Sequence, residues 1–193
     1  MPAETRLYIT RHGQTDANLE KRVQGQGDTP LNAKGFEQAR ELVHYFSRHP
    51  VHGIVSSDLV RARQTAEVLA DALDIFPSYH PQLRARRMGD YENKTHAELE
   101  AANPEDFKKL KHDKAFRPPG GGESVDDLKE WLVPLMHKVA ELYRGRSVIV
   151  LSHHKICQLI LAELAGGDWS PIPNARPAVV IYDGNSFKLD PDT

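Results

Sequence analysis

Short apolar runs alternate with amphipathic stretches along this chain, and their order predicts the architecture. Residues 6–10, with Leu7 and Ile9 apolar, have the spacing of a short strand that runs straight into Arg11-His12-Gly13. A polar stretch with Gly25, Gly27 and Pro30 follows. Asn32 then stands where a helix N-cap belongs, and Phe36, Ala39, Val43 and Phe46 recur behind it at helical spacing. The pattern repeats at 53–56, a short apolar strand. After it Ser57-Asp58 offers capping side chains, and 59–73 reads as a helix with Leu59, Ala62, Ala66, Leu69 and Leu73 inward.

Residues 76–122 are mostly polar and end in Pro118-Pro119-Gly120-Gly121-Gly122, which predicts a helical insertion with mobile edges. Ser124-Val125-Asp126-Asp127 has the form of a helix cap, and Leu128, Leu132, Leu135 and Val139 line one face of the helix it opens, with a kink expected at Pro134. Residues 147–151 form the clearest buried strand, giving way at Ser152-His153-His154 to a helix over 156–164, and 178–182 is a last strand that could close a sheet edge. Strands alternating with helices imply an α/β fold, a three-layer α/β/α sandwich with a mainly parallel central sheet and a helical insertion over the active site. No internal repeat or heptad seam is visible.

Composition narrows the classes. At 193 residues the chain is expected to be one domain spanning 1–193, with the insertion at 76–122. Lys+Arg of 25 against Asp+Glu of 27 leaves a formal charge of -2, which gives no global footprint for nucleic acid or an anionic membrane. No apolar run reaches the roughly 20 residues needed to cross a bilayer. The single cysteine, Cys157, cannot form an intramolecular disulfide, and the first residues lack the form of a secretory signal, so a cytoplasmic location is expected. Oligomeric state is not readable.

The ten histidines carry the chemistry. In open α/β sheets ligands bind beyond the carboxyl ends of the strands. Three predicted strand ends deliver Arg11-His12, the segment 57–63 and His153-His154 to that edge. Histidines and arginines crowded there repel one another unless an anion lies between them, and a phosphoryl group suits guanidinium forks. A metal site fits less well, because neither histidine pair has a carboxylate partner at useful spacing and the arginines would repel a cation. No metal and no cofactor are expected.

Leu7-Tyr8-Ile9-Thr10-Arg11-His12-Gly13-Gln14-Thr15, Gln24-Gly25-Gln26-Gly27-Asp28-Thr29-Pro30-Leu31, Ser56-Ser57-Asp58-Leu59-Val60-Arg61-Ala62-Arg63-Gln64-Thr65-Ala66 and Leu151-Ser152-His153 together resemble the histidine phosphatase superfamily, the phosphoglycerate mutase-like clan. The likeness runs from about residue 7 to about 164 with its motifs in family order. It implies that His12 is a nucleophile forming a phosphohistidine, and that Arg11, Arg61 and His153 surround the phosphoryl group. It also implies that Asn18, Gln24, Gly25 and Arg63 line the substrate pocket, with Glu123 beside it. The implied reaction is hydrolysis of a phosphorylated small molecule or phosphoprotein; a phosphate-ester binding protein and a mutase-type phosphotransferase are the alternatives.

One departure matters. Where many members of the clan carry a glutamate that protonates the leaving oxygen, this chain reads Leu83-Arg84-Ala85-Arg86-Arg87-Met88-Gly89-Asp90-Tyr91-Glu92. Ala85 has no proton to give, and general acid catalysis is worth about 10²–10⁴-fold. Four readings stay open. The substrate has a better leaving group, as for the clan's protein-phosphohistidine phosphatases; His154, Asp90, Glu92 or Glu123 supplies the proton; turnover is lost; or a shift in register brings Glu92 into place. Whether Ala85 is natural or introduced is not legible. The clan's usual glycine after the second histidine is His154, placed among the substrate-binding residues. The basic groups at 84–87 and 108–111 are read as a solvated surface on the pocket's outer wall, and Cys157 as a packing residue.

Overall fold

The computed structural model describes residues 3–190; the expected domain span of 1–193 includes residues 1–2 and 191–193, which lie outside the described residues. In chain order the elements are β1 (Thr5–Arg11), α1 (Asp16–Leu19), α2 (Ala33–Phe46), β2 (Ile54–Ser56), α3 (Val60–Leu73), β3 (Pro77–Tyr79), α4 (His96–Ala102), α5 (Pro104–His112), α6 (Val125–Leu142), β4 (Ser147–Ser152), α7 (His154–Leu159), β5 (Pro177–Tyr182) and β6 (Phe187–Leu189). Six strands form one sheet in the order β3-β2-β4-β1-β5-β6. The first four in that order run parallel; β5 is antiparallel to β1, and β6 to β5.

Side-chain alternation explains the three layers. On β1, Leu7 and Ile9 face one way and Tyr8 the other; on β4, Val148 and Val150 oppose Ile149 and Leu151. Leu7, Ile9, Val148 and Val150 pack with Leu128, Leu132 and Met136 of α6 and Ile156 of α7. Tyr8, Ile149 and Leu151 pack instead with Leu42 and Phe46 of α2 and Ala66 and Leu69 of α3. Apolar on both faces, the central strands need helices on both sides. A smaller cluster of Val23, Tyr91, Leu99 and Phe107 lies under α4 and α5.

Asn32 caps α2 as expected, its side chain accepting from Gly35 N, and Ser124 caps α6 in a reciprocal box with Asp127. The structure differs from the expectations elsewhere. Leu59, not Ser57 or Asp58, is the N-cap of α3; Asp58 is taken by Arg84, while Asp28 from the preceding loop accepts from Val60 N at 3.2 Å. Residues 77–79, expected inside the insertion, are β3 and belong to the sheet. The strand expected to close an edge is interior, because β6 pairs outside it. The helix after β4 changes to a π-helical turn over Ile160–Leu164. Pro134 lies within α6, which continues as one helix through it.

Leu132 is fully buried in the α6 layer, so Leu132→Ala is expected to cost about 2–5 kcal/mol in urea denaturation. Leu142→Ala, on the exposed end of the same helix, is expected to stay within about 0.5 kcal/mol.

Candidate active site

β1, β2 and β4 are parallel neighbours, so their carboxyl ends lie at one edge of the sheet. There a cavity of about 500 Å³ is lined by Arg11, His12, Arg61, His153 and His154, with Asn18, Gln24, Gly25 and Ala85. Of the ten site residues expected from the sequence, eight meet in this space. Arg63 and Glu123 do not. Arg63 lies on the exposed face of α3, its guanidinium over the Tyr79 ring at 5.1 Å and beside Glu67 at 3.4 Å. Glu123 accepts from Arg87 N at 2.8 Å and pairs with the Arg87 guanidinium at 3.1 Å.

His12 is 2% exposed, and its Nδ1 lies 2.6 Å from the Gly13 carbonyl oxygen. That carbonyl can only accept, so Nδ1 carries the proton and Nε2 the free lone pair. Position 13 needs glycine because a Cβ there would sit 2.5 Å from the Gly35 carbonyl oxygen on α2. The ring of His153 is centred 5.2 Å from that of His12. His153 Nε2 is hydrogen-bonded to Ser57 Oγ at 2.8 Å, and that oxygen also accepts from Leu59 N, so the serine holds the imidazole in place.

Arg61, 1% exposed, donates to the Gly27 and Gly25 carbonyls at 2.8 Å each, and Arg11 donates to the Ile172 carbonyl at 2.9 Å. Among the described residues neither forms an ion pair with a carboxylate. Arg11 Nε, Arg61 Nε and His153 Nδ1 are buried without a hydrogen-bond partner among the described residues. Leaving such a donor unsatisfied costs about 1–3 kcal/mol, an expense that an oxyanion held among them would offset.

Electrostatics keep the imidazoles neutral. Burial, then the charges of Arg61 and Arg11, hold His12 well below its ordinary pKa; burial, Arg61, His12 and Arg11 do the same to His153. His154 is lowered to about 4, by burial first and Arg11 second. Burial lowers Arg61 to about 10, against a small opposing effect of Asp28, and it stays cationic at neutral pH.

Asn174 lines the cavity, donates to the His12 carbonyl at 2.8 Å and lies 3.4 Å from Asn18 Oδ1. It sits in the loop before β5, and no local motif marks it in the sequence. Glu92 explains Gly25: its Oε1 accepts from Met88 N and Gln26 N, and a Cβ at position 25, where φ is +50°, would lie 2.1 Å from that oxygen. Cys157 is fully buried in the core, as expected. Among the described residues no group of three or more His, Cys, Asp and Glu could hold a metal ion, and no helix is long and apolar enough to cross a membrane.

A buried imidazole with a free lone pair, cationic walls and a strand-end cavity make a site suited to an anion. The chain belongs to the histidine phosphatase superfamily (branch 1), which it matches over residues 7–190. It is 35% identical over 168 residues to the glucosyl-3-phosphoglycerate phosphatase of Mycolicibacterium vanbaalenii, covering 83% of this chain and 74% of the relative. It is 31% identical over 164 residues to the uncharacterized phosphatase PhoE of Bacillus subtilis, covering 85% and 79%. Bacillus stearothermophilus YhfR superposes with a TM-score of 0.88 at 27% identity, over 96% of this chain and 95% of that one. The chain is a phosphoric monoester hydrolase of the histidine phosphatase type.

The depressed histidines make stability depend on pH. Unfolding returns them to an ordinary pKa near 6.5, so the unfolded state binds more protons below that value. Stability is expected to be full above about pH 6.5 and to fall with acidification, by up to about 1.4 kcal/mol per pH unit for each of His12, His153 and His154. Urea denaturation between pH 7 and 5 reads the slope, and His154→Gln is expected to reduce it.

Proposed function

We propose that this enzyme hydrolyses phosphomonoesters of small molecules through a phosphohistidine on His12. The observation that carries the reading is His12 itself: buried, neutral, with Nδ1 tied to Gly13 and Nε2 free beside Arg11, Arg61 and His153. Nε2 attacks phosphorus, the P–O bond to the leaving group breaks, and its electrons stay on the leaving oxygen. Arg11, Arg61 and His153 bind the equatorial oxygens, where charge spreads in the transition state. Asn18, Gln24 and Gly25 line the substrate side. Water then attacks phosphorus, the P–N bond breaks, and inorganic phosphate leaves.

Ala85 lines the cavity and supplies no acid. The other carboxylates considered are absent from the lining: Glu92 is bound to Met88 and Gln26, Glu123 to Arg87, and Asp90 Oδ1 faces Gly120. His154 does line it, but burial and then Arg11 lower its pKa to about 4, so at neutral pH it is a neutral imidazole and not the imidazolium that would act as general acid. The reading that fits best is a monoester whose leaving group departs without full protonation, such as an aryl phosphate. A mutase would also need a donor for the alkyl oxygen of its substrate, so hydrolysis is favoured over transfer.

Rapid alkaline quenching with ³²P-labelled aryl phosphate is expected to trap an acid-labile label on wild-type protein and none on His12→Ala, with turnover lost at least about 10³-fold in the variant. Turnover that survives His12→Ala would falsify the phosphohistidine route. Ala85→Glu is expected to raise alkyl phosphate hydrolysis by about 10²-fold and aryl phosphate hydrolysis far less; an equal change for both would place the missing acid elsewhere.

A further inference from the structure

The cavity is larger and more cationic than one phosphoryl group requires. At about 500 Å³ it has the size of a site for a whole small molecule. Six Arg or Lys and four His line it, and among the described residues no Asp or Glu does, although the whole chain carries a net charge of -2. Arg11 and Arg61 serve the phosphoryl centre, and Arg22 is held by Glu20 at 2.8 Å. Two of the remaining cations, Arg86 and Lys155, are neighbours whose charges act on one another.

Arg86 is 3% exposed, yet its two short bonds go to main-chain carbonyls: Nε to Glu123 O at 2.5 Å and Nη2 to Phe116 O at 2.6 Å. The nearby carboxylates are committed to other guanidinium groups, Glu123 to Arg87 and Asp127 to Arg117. This arrangement fixes the guanidinium plane without cancelling its charge. Lys155 is half-buried, donates to Gln158 Oε1 at 2.9 Å and rests over the Trp169 ring at 5.2 Å. The same ring carries Lys114 at 4.8 Å, and the difference between the two lysines is informative: Lys114 is paired with Glu163, whereas Lys155 has no carboxylate partner among the described residues. Burial first and Arg86 second lower the Lys155 pKa, the mark of a cation held without a counter-ion. Ala85, next to Arg86 in the same wall, keeps that surface free of negative charge.

We propose that Arg86 and Lys155 form a second anion subsite in the His12 cavity, so that the substrate carries a carboxylate or second phosphate besides the phosphoryl group that is removed. The proposal rests on the phosphomonoesterase reading and names its substrate class. A guanidinium fixed by two carbonyls beside an ammonium held by Gln158 and Trp169, both partly desolvated, discriminates an anionic leaving portion from a neutral one of the same shape.

Two matched pairs of aryl esters test this with leaving groups that need little protonation. One is 4-carboxyphenyl phosphate against 4-carbamoylphenyl phosphate; the other is hydroquinone bisphosphate against 4-methoxyphenyl phosphate. Wild type is expected to favour the charged member of at least one pair by about tenfold in kcat/KM, and the pair that shows it tells carboxylate from phosphate. In Lys155→Met the ratio is expected to fall to about twofold or less, and in Lys155→Arg to persist. Being a ratio on one sample, it does not depend on how much of a variant folds. Equal constants within both pairs in wild type, or a preference unchanged in Lys155→Met, would overturn the subsite. If no ester turns over, the same four compounds are compared as ligands by calorimetry. The Kd ratio then decides the subsite, while the lost turnover bears on His12 alone.

Discussion

Arg61 is buried inside a protein that gives it no carboxylate in contact. Two main-chain carbonyls of the loop at Gly25 and Gly27 accept from it, and much else at the site follows from that choice. Carbonyl dipoles hold a guanidinium in place while leaving its charge available. A carboxylate would have neutralised it and competed with a phosphoryl group. Burial first, and the charges of Arg61 and Arg11 after it, hold the neighbouring imidazoles of His12 and His153 in their neutral form. The loop geometry is bound to the same end: Gly25 must be left-handed and bare so that Glu92 can pin the backbone that presents the carbonyls.

The central layer was legible because its signals are local. Short apolar runs mark β1, β2 and β4, and the motifs that follow them along the chain bring Arg11, His12, Arg61 and His153 to one edge of the sheet. What failed depends on partners distant in sequence. The cap of α3 comes from Asp28, across a loop, and three residues of β3 are too few to show a period. Arg63 sits two positions from Arg61, and one step along a helix turns a side chain by about 100°, so a buried Arg61 puts Arg63 on another face. Asn174 and Lys155 reach the cavity through tertiary packing and carry no motif of their own.

Ala85 takes on a different meaning once the wall around it is described. In the sequence it reads as a missing acid. In the structure it belongs to a surface from which carboxylates have been excluded, with Glu92 and Glu123 turned to backbone and arginine instead. An alanine at position 85 and a lining whose charged side chains, among the described residues, are Arg and Lys alone are one design if the substrate is itself strongly anionic.

The loop before β5 has a consequence for the order in which the molecule is completed. Ile172 O receives Arg11, Asn174 grips the His12 carbonyl, and Ala175 N bonds to Arg11 O, across some 160 residues of chain. A ribosome that has released β1 therefore has nearly the whole polypeptide still to make before the nucleophile's own backbone is clamped. Such long-range closure is slow relative to local helix formation. The clamp on the His12 backbone therefore closes only once residues 172–175 have been made, together with the β5 strand that follows them and pairs with β1.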